Sequence, residues 1–139
     1  MTHPTRSRPP ARLIRVSASG FNNGPPACHF IGLPGNPVSS FVTFLLLVRP
    51  FLLTLQGAPV PAPQPVTLPA HFDLPRADKR REFLRVRRNA NGGLDLFPNQ
   101  SSGVLTSAVW GDGLVDNPAG TTIASGDTVS YISLADLLA

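Results

Sequence analysis

The sequence predicts an α+β fold: a partial α/β strand-loop-helix unit followed by a small all-β, barrel-like C-terminal domain. Three observations carry this. A loop punctuated by glycine and proline joins a short apolar stretch to a long apolar run, a proline-rich connector follows, and period-two alternation with turn signals takes over from about residue 64. The expected division is a disordered segment over 1–27, the strand-loop-helix unit over 28–57, a linker over 58–69 and the β domain over 70–139.

Residues 1–27 are rich in Pro, Arg, Ser and Asn and lack sustained periodicity, which is the composition of a disordered segment. The apolar stretch His29-Phe30-Ile31 reads as a strand end and runs into Gly32-Leu33-Pro34-Gly35-Asn36-Pro37. Gly32 and Gly35 allow close backbone approach, and Pro34 and Pro37 restrict φ, so the loop is rigid. Asn36 suits an N-cap and Pro37 the first helical position, which leaves the following amides, around Ser39, as free donors for an anion. The helix is expected to start at Pro37, to bend or restart near Pro50 and to stop at Gly57. Its residues Phe41, Val42, Phe44, Leu45, Leu46, Leu47, Val48, Phe51, Leu52 and Leu53 make it apolar nearly all round, so it needs burial on most sides. The flanking chain offers little to supply that burial, so poor packing or self-association through this helix is expected.

The 58–69 stretch alternates Pro with small and apolar residues and reads as a connector. Beyond it, Glu82–Arg88 alternates, Asn89-Ala90-Asn91-Gly92-Gly93 supplies a turn, and residues 94–97 complete a hairpin. Residues 104–110 fit a strand or a short helix. Residues 119–124, a turn at Ser125-Gly126-Asp127 and Thr128–Ser133 suggest a second strand pair, and 133–138 a short helix capped by Ser133.

Composition narrows the function classes. With 139 residues and 42% hydrophobic content the chain can bury a core of one domain or slightly more. The net charge of +4 comes from Arg6, Arg8, Arg12 and Arg15; beyond residue 15 eight basic residues face eight acidic ones. With only Phe21 aromatic in the tail, nucleic-acid binding is disfavoured. Cys28 is the single cysteine, which excludes an internal disulfide and a multi-cysteine metal site. The start lacks the apolar core of a secretory signal, and the apolar run 41–55 contains Arg49 and Pro50 and falls short of the roughly 20 residues of a membrane span. A soluble, cytoplasmic protein without membrane or nucleic-acid partners is the expectation.

On Glu82–Arg88 the side chains of Phe83, Arg85 and Arg87 share one face, and Leu84 and Val86 the other, which suits a core. Arg85 and Arg87 thus project together, fit to hold an oxyanion through charge-assisted bonds, or to form a solvated basic face offset by Asp78 and Glu82. The loop Gln100-Ser101-Ser102-Gly103 could coordinate an anion or be an ordinary turn. His29 and His71 lack ligand spacing, so no metal site is read, and no nucleophile elbow, Walker loop or dinucleotide fingerprint is present. The eight carboxylates form no evident acid/base pair or Mg²⁺ cluster, so the catalytic residues are unknown. The chain shows parts for binding anions and no catalytic engine.

Gly32-Leu-Pro-Gly-Asn-Pro-Val-Ser-Ser-Phe-Val-Thr-Phe, then Val48-Arg49-Pro50, Leu55-Gln56-Gly57, Arg85 in Glu-Phe-Leu-Arg-Val, Gln100-Ser-Ser102 and Ser125-Gly126-Asp127-Thr-Val occur in unbroken order. This series resembles the C-terminal third of a molybdopterin molybdenumtransferase, the MoeA family, related to the E domain of gephyrin. The resemblance implies that 28–57 is the end of an α/β molybdopterin-binding domain. It also implies an enzyme that inserts molybdate into adenylated molybdopterin and releases AMP in a Mg²⁺-dependent reaction, as a homodimer in its full-length form. Pro34, Gly35, Asn36, Pro37 and Ser39 would then line the molybdopterin and molybdate pocket, with Arg85 and Ser102 holding an anion from the β domain. Arg87 matches no family site residue and is expected to be surface. The Mg²⁺ ligands and upstream catalytic domains of the family have no counterpart here, and residues 1–27 do not resemble it. The expectation is a truncated gene product, either complemented elsewhere or acting as a non-catalytic binding or scaffold module.

Overall fold

Asn36 opens the first helix in the computed structural model, which describes residues 29–101 and 106–139. The expected disordered segment 1–27 and Ser102 lie outside the described residues. Asn36 is extended, its side chain accepts from the Ser39 N–H at 3.4 Å, and Pro37 occupies the start of α1 (Pro37–Thr43). The strand end expected at residues 29–31 does not form. A strand needs a neighbouring ladder to satisfy its backbone, and the described residues offer none there.

Pro50 is accommodated by a change of helical pitch rather than a break. After α1 a π turn spans Phe44–Val48, in which the Arg49 N–H reaches back to the Phe44 carbonyl, and α2 (Arg49–Leu55) follows. The wider turn comes just before the ring that would otherwise crowd the carbonyl four residues earlier. The helix stops as expected at Gly57, which has φ 70°. Its N–H bonds Thr54 O at 3.1 Å and Ala58 N–H bonds Leu53 O at 2.9 Å, the paired closure that favours glycine at the left-handed position.

Five antiparallel strands form one curled sheet: β1 (Val66–Pro69), β2 (Glu82–Arg88), β3 (Leu94–Leu96), β4 (Gly113–Asn117) and β5 (Thr128–Ser133), in the order β1-β5-β4-β2-β3. A bridge between Ala70 and Leu94, with His71 N–H to Leu94 O at 2.9 Å, ties the two edges together as a half-barrel. The hairpin β2–β3 appears with Val86 opposite Leu96. The linker expected over 58–69 gives its last four residues to β1.

The expected pair of 119–124 with Thr128–Ser133 is not formed. Residues 119–124 contribute only an isolated bridge of Ile123 to Leu74, and the partner of β5 on that side is β4. The sequence Gly-Leu-Val-Asp-Asn has weak strand propensity, and pairing on both sides, to β2 and β5, overrides it. Gly113 is required here: a Cβ would run into the Tyr131 ring and stand 2.6 Å from the Ile132 carbonyl. Of the ambiguous stretch 104–110, Thr106–Trp110 is a short helix, α3. The last helix, α4 (Leu134–Leu138), is capped as expected, with Ala135 N–H donating to Ser133 Oγ at 3.1 Å.

Alternation along the central strands feeds two cores. Leu84, Val86, Val115, Val129 and Tyr131 point into the half-barrel with Ala70, Leu94 and Ile123. Leu114 and Ile132 point outward and meet Leu45 and Leu137, with Phe41, Val42, Leu46, Phe83 and Leu134 around them. The apolar helix therefore docks on the outer face of the sheet, which corrects the expectation that nothing would cover it. Burying a residue such as Leu45, 1% exposed, is worth about 1.5–3 kcal/mol. Coverage is one-sided: Leu47, Leu52 and Leu55 stay exposed. Arg49 fastens the same interface. Its guanidinium donates to the carbonyls of Leu137 at 3.2 Å, Leu138 at 2.9 Å and Ala139 at 2.7 Å, where the negative end of α4 favours a cation.

Candidate functional site

Arg85 sits in the middle of β2, opposite Leu114 of β4. On its other side the β3 ladder gives one last bond, Phe97 N–H to Arg85 O at 3.1 Å, and the side-chain amide of Gln100 then continues it in place of a strand. Arg85 N–H donates to Gln100 Oε1 at 3.0 Å, and Gln100 Nε2 donates to Arg85 O at 3.0 Å and to Phe97 O at 2.8 Å. The backbone under Arg85 is thus held on both edges, which fixes where its side chain departs.

The side chain is buried rather than solvated. Arg85 is 7% exposed; its Nε donates to Ser107 Oγ at 3.1 Å and its Nη2 to Ser101 O at 3.4 Å. Among the described residues no carboxylate pairs with it. By contrast, Arg80 pairs with Asp78 and Arg88 with Asp112, each at 3.4 Å, and Arg81 pairs with Asp116. Burial pulls the Arg85 pKa below its ordinary value, yet a guanidinium starts so high that it stays charged. A buried cation with neutral partners only is an unfinished electrostatic arrangement, and an anion completes it. The solvated-face alternative therefore fails for Arg85. It holds for Arg87, which is exposed and lies over the Trp110 ring at 4.6 Å.

A cavity of about 270 Å³ opens over Arg85, lined also by Ser39, Asp78, Arg80, Arg81, Glu82, Phe83, Leu84 and Gln100. Ser39 comes from the first turn of α1, so the two halves of the sequence meet at this cavity. Pro34, Gly35, Asn36 and Pro37 are not among its lining residues. Asn36 is occupied as the helix cap, and Ser40 Oγ donates to the Pro34 carbonyl, so these residues set the angle at which α1 presents Ser39. A larger cavity of about 380 Å³ between helix and sheet, lined by Val42, Leu46, Phe83 and Ile132 with the Arg81–Asp116 pair at its edge, offers mostly apolar wall.

Two contributors escaped the sequence reading. Ser107 carries no motif and is recognisable only by its bond to Arg85. Glu82, expected as a surface counter-charge, has one carboxylate oxygen buried without a hydrogen-bond partner among the described residues. Among the described residues no three His, Cys, Asp or Glu side chains converge to hold a metal ion, so these residues do not by themselves fit a Mg²⁺ ion.

Residues 67–134 match the family described as MoeA C-terminal region (domain IV). A curated relative, the molybdopterin molybdenumtransferase of Nostoc sp., is 34% identical over 116 residues, which cover 79% of this chain and 27% of the relative. A molybdenum cofactor biosynthesis protein from Pyrococcus furiosus superposes with a TM-score of 0.60 at 27% identity, over 71% of this chain and 36% of that one. The molybdopterin biosynthesis moeA protein of Pyrococcus horikoshii does so with a TM-score of 0.59 at 26% identity, over 71% and 26%. The chain thus spans only about a quarter to a third of the length of these relatives.

Proposed function

This chain belongs to the MoeA family of molybdenum cofactor biosynthesis, whose C-terminal part it carries, and we propose that its Arg85 cavity is the β-domain wall of an oxyanion site for molybdate and molybdopterin. The observation that carries the reading is the buried guanidinium, without a carboxylate partner among the described residues, on a cavity that Ser39 also lines. Molybdate is a tetrahedral dianion. A guanidinium fork, a hydroxyl and an amide are suitable hydrogen-bond donors to its oxygens, and in a partly dry cavity such bonds are stronger than in water. Pro34, Gly35, Asn36 and Pro37 act in this reading by orienting the first turn of α1, and Ser102, two positions after Gln100 in sequence, is a further hydroxyl donor.

The reaction in which this wall takes part is insertion of molybdate into adenylated molybdopterin with release of AMP, by an assembly with the catalytic domains that the family relatives carry. Arg85 and Ser39 bind and orient the oxyanion; they supply no acid or base. Mg²⁺, a homodimeric assembly and a cytoplasmic location belong to the same reading. The first test is calorimetric titration of the chain with molybdate, against Arg85→Gln. Loss of roughly tenfold or more in affinity is expected from removing charge-assisted bonds, and equal binding by the variant would sink the proposal. AMP release from adenylated molybdopterin, with and without the upstream domains of a relative added in trans, separates a complementable enzyme part from a non-catalytic binding module.

A further inference from the structure

The cavity over Arg85 runs along the edge of a strand. Residues 81–85, consecutive in the chain, all line it. Side chains of a strand alternate between two faces, so a cavity touched by the whole run lies beside the backbone they share. The opposite edge of β2 is closed by β4 over residues 82–86. Val86 O accepts the Asp112 N–H at 3.0 Å, and Arg88 N–H donates to Asp112 Oδ2 at 3.2 Å, so the even-numbered residues of β2 address β4. Arg85 O accepts the Phe97 N–H at 3.1 Å, and Asn89 N–H donates to Gly93 O at 2.9 Å, so the odd-numbered ones address β3. The N–H and C=O of Phe83 therefore point to the β3 side, two residues beyond Arg85. There β3 has already ended at Leu96, and among the described residues no strand pairs with Phe83 on that side.

The neighbouring position on this edge shows what such a pair of groups takes. At Arg85 one amide meets both: Gln100 Oε1 accepts from the N–H and Nε2 donates to the C=O, each at 3.0 Å. An extended polypeptide offers the same acceptor and donor at every second residue. A bare oxyanion bonds the Phe83 N–H and leaves its C=O unmatched. Charged side chains often guard a strand edge, but here they are folded back. Arg80 is drawn to Asp78 Oδ1, which takes its backbone N–H at 2.8 Å and its Nε at 3.4 Å, and Arg81 forks onto Asp116. Arg85 is left, buried without a carboxylate among the described residues, on the same face of β2 as Phe83. We propose that the free edge of β2 is a docking site for an extended, acid-bearing segment of another polypeptide, which joins the sheet through Phe83 and sets a carboxylate against Arg85. Glu82 does not oppose it, since its side chain lies on the other face of β2. The docked strand regulates the oxyanion site, because strand and molybdate compete for one guanidinium.

The test is nitrogen–proton correlation NMR and calorimetry of the full chain, with the acetylated, amidated peptide Thr-Val-Thr-Val-Thr-Glu as probe. The probe should shift the Phe83 amide resonance and slow its hydrogen exchange by roughly tenfold or more. N-methylation of the central residues of the probe should weaken binding by roughly tenfold or more, since neither of its edges can then donate. Gln in place of the Glu should weaken binding to the wild type by roughly fivefold or more and leave binding to Arg85→Gln unchanged. Should Arg85→Gln fail to fold, the methylated probe and the Phe83 amide still decide the matter on the wild type. Docking at this edge is overturned if the probe does not bind, if it binds without moving the Phe83 amide, or if the methylated probe binds equally well. Equal binding of the Glu and Gln probes to the wild type, or undiminished binding of probe and molybdate together, overturns the contact to Arg85. Molybdate binding without probe binding leaves the oxyanion reading alone standing. Probe binding through Phe83 without molybdate binding removes that reading and keeps the docking site.

Discussion

Replacing Arg85 by Met tests whether this residue is a ligand or a brace. The substitution keeps an unbranched side chain of similar reach and removes the charge and both side-chain hydrogen bonds, to Ser107 Oγ and Ser101 O. Each bond from a charged donor is worth about 1.5–3 kcal/mol, and the second, at 3.4 Å, belongs at the weak end. Against that stands the desolvation of an arginine 7% exposed with no carboxylate partner among the described residues, an opposing cost of roughly several kcal/mol per buried ion. The two nearly cancel, so Arg85→Met is expected to change folding stability by no more than about 1 kcal/mol in either direction. Molybdate affinity should fall by roughly tenfold or more, and Arg85→Lys, with charge but no planar fork, should lie between. Stability is read by denaturant titration of the single Trp fluorescence, and binding by calorimetry. A loss of about 3 kcal/mol or more with unchanged molybdate binding would show that Arg85 braces the loop that carries Ser101, and the reasoning here would be wrong.

Three further outcomes are expected. Tyr131, 2% exposed and donating to Asp112 Oδ1 at 2.8 Å, has its pKa pushed up to about 12 by burial first and the Asp112 carboxylate second. Its raised folded pKa contributes stability that is complete below about pH 10 and is lost as pH rises towards 12, up to about 3 kcal/mol in all. As the single tyrosine it can be followed by tyrosinate absorbance, with Tyr131→Phe losing the alkaline slope; ionisation at or below pH 10 would contradict the packing. Gly113→Ala should destabilise by about 1–3 kcal/mol, because the new methyl group meets the Tyr131 ring and a backbone carbonyl; an unchanged denaturation midpoint would refute the close approach. Arg49→Met should release the end of α4 and raise hydrogen exchange at 134–139 while exchange in β2 and β4 stays slow, since three carbonyls lose their donor.

The local devices of this chain were legible from its residues. Asn36 before Pro37, Gly57 at the helix end, the turn between β2 and β3 and Ser133 before α4 each encode a backbone state over three to five neighbouring residues, and all four stand where expected. The resemblance carried by the ordered motifs was also legible, and the family match over 67–134 agrees with it. What failed depended on partners distant in sequence. β4 has weak intrinsic preference and exists because β2 and β5 flank it; residues 29–31 look like a strand and have no ladder to join among the described residues.

The site divides in the same way. Alternation along β2 separated Arg85 from Leu84 and Val86, but it could not tell a solvated arginine from a buried one. That was decided by Gln100 closing the open edge of β2, by Ser107 from α3 beneath the guanidinium, and by α1 docking on the outer face of the sheet so that Ser39 reaches the cavity. Sequence alone determined the caps, the hairpin, the family motifs and the types of donor available to an anion, because those are properties of short segments. Only the tertiary structure decided that Arg85 lies buried with neutral partners alone among the described residues, because burial is set by what distant segments bring over a residue.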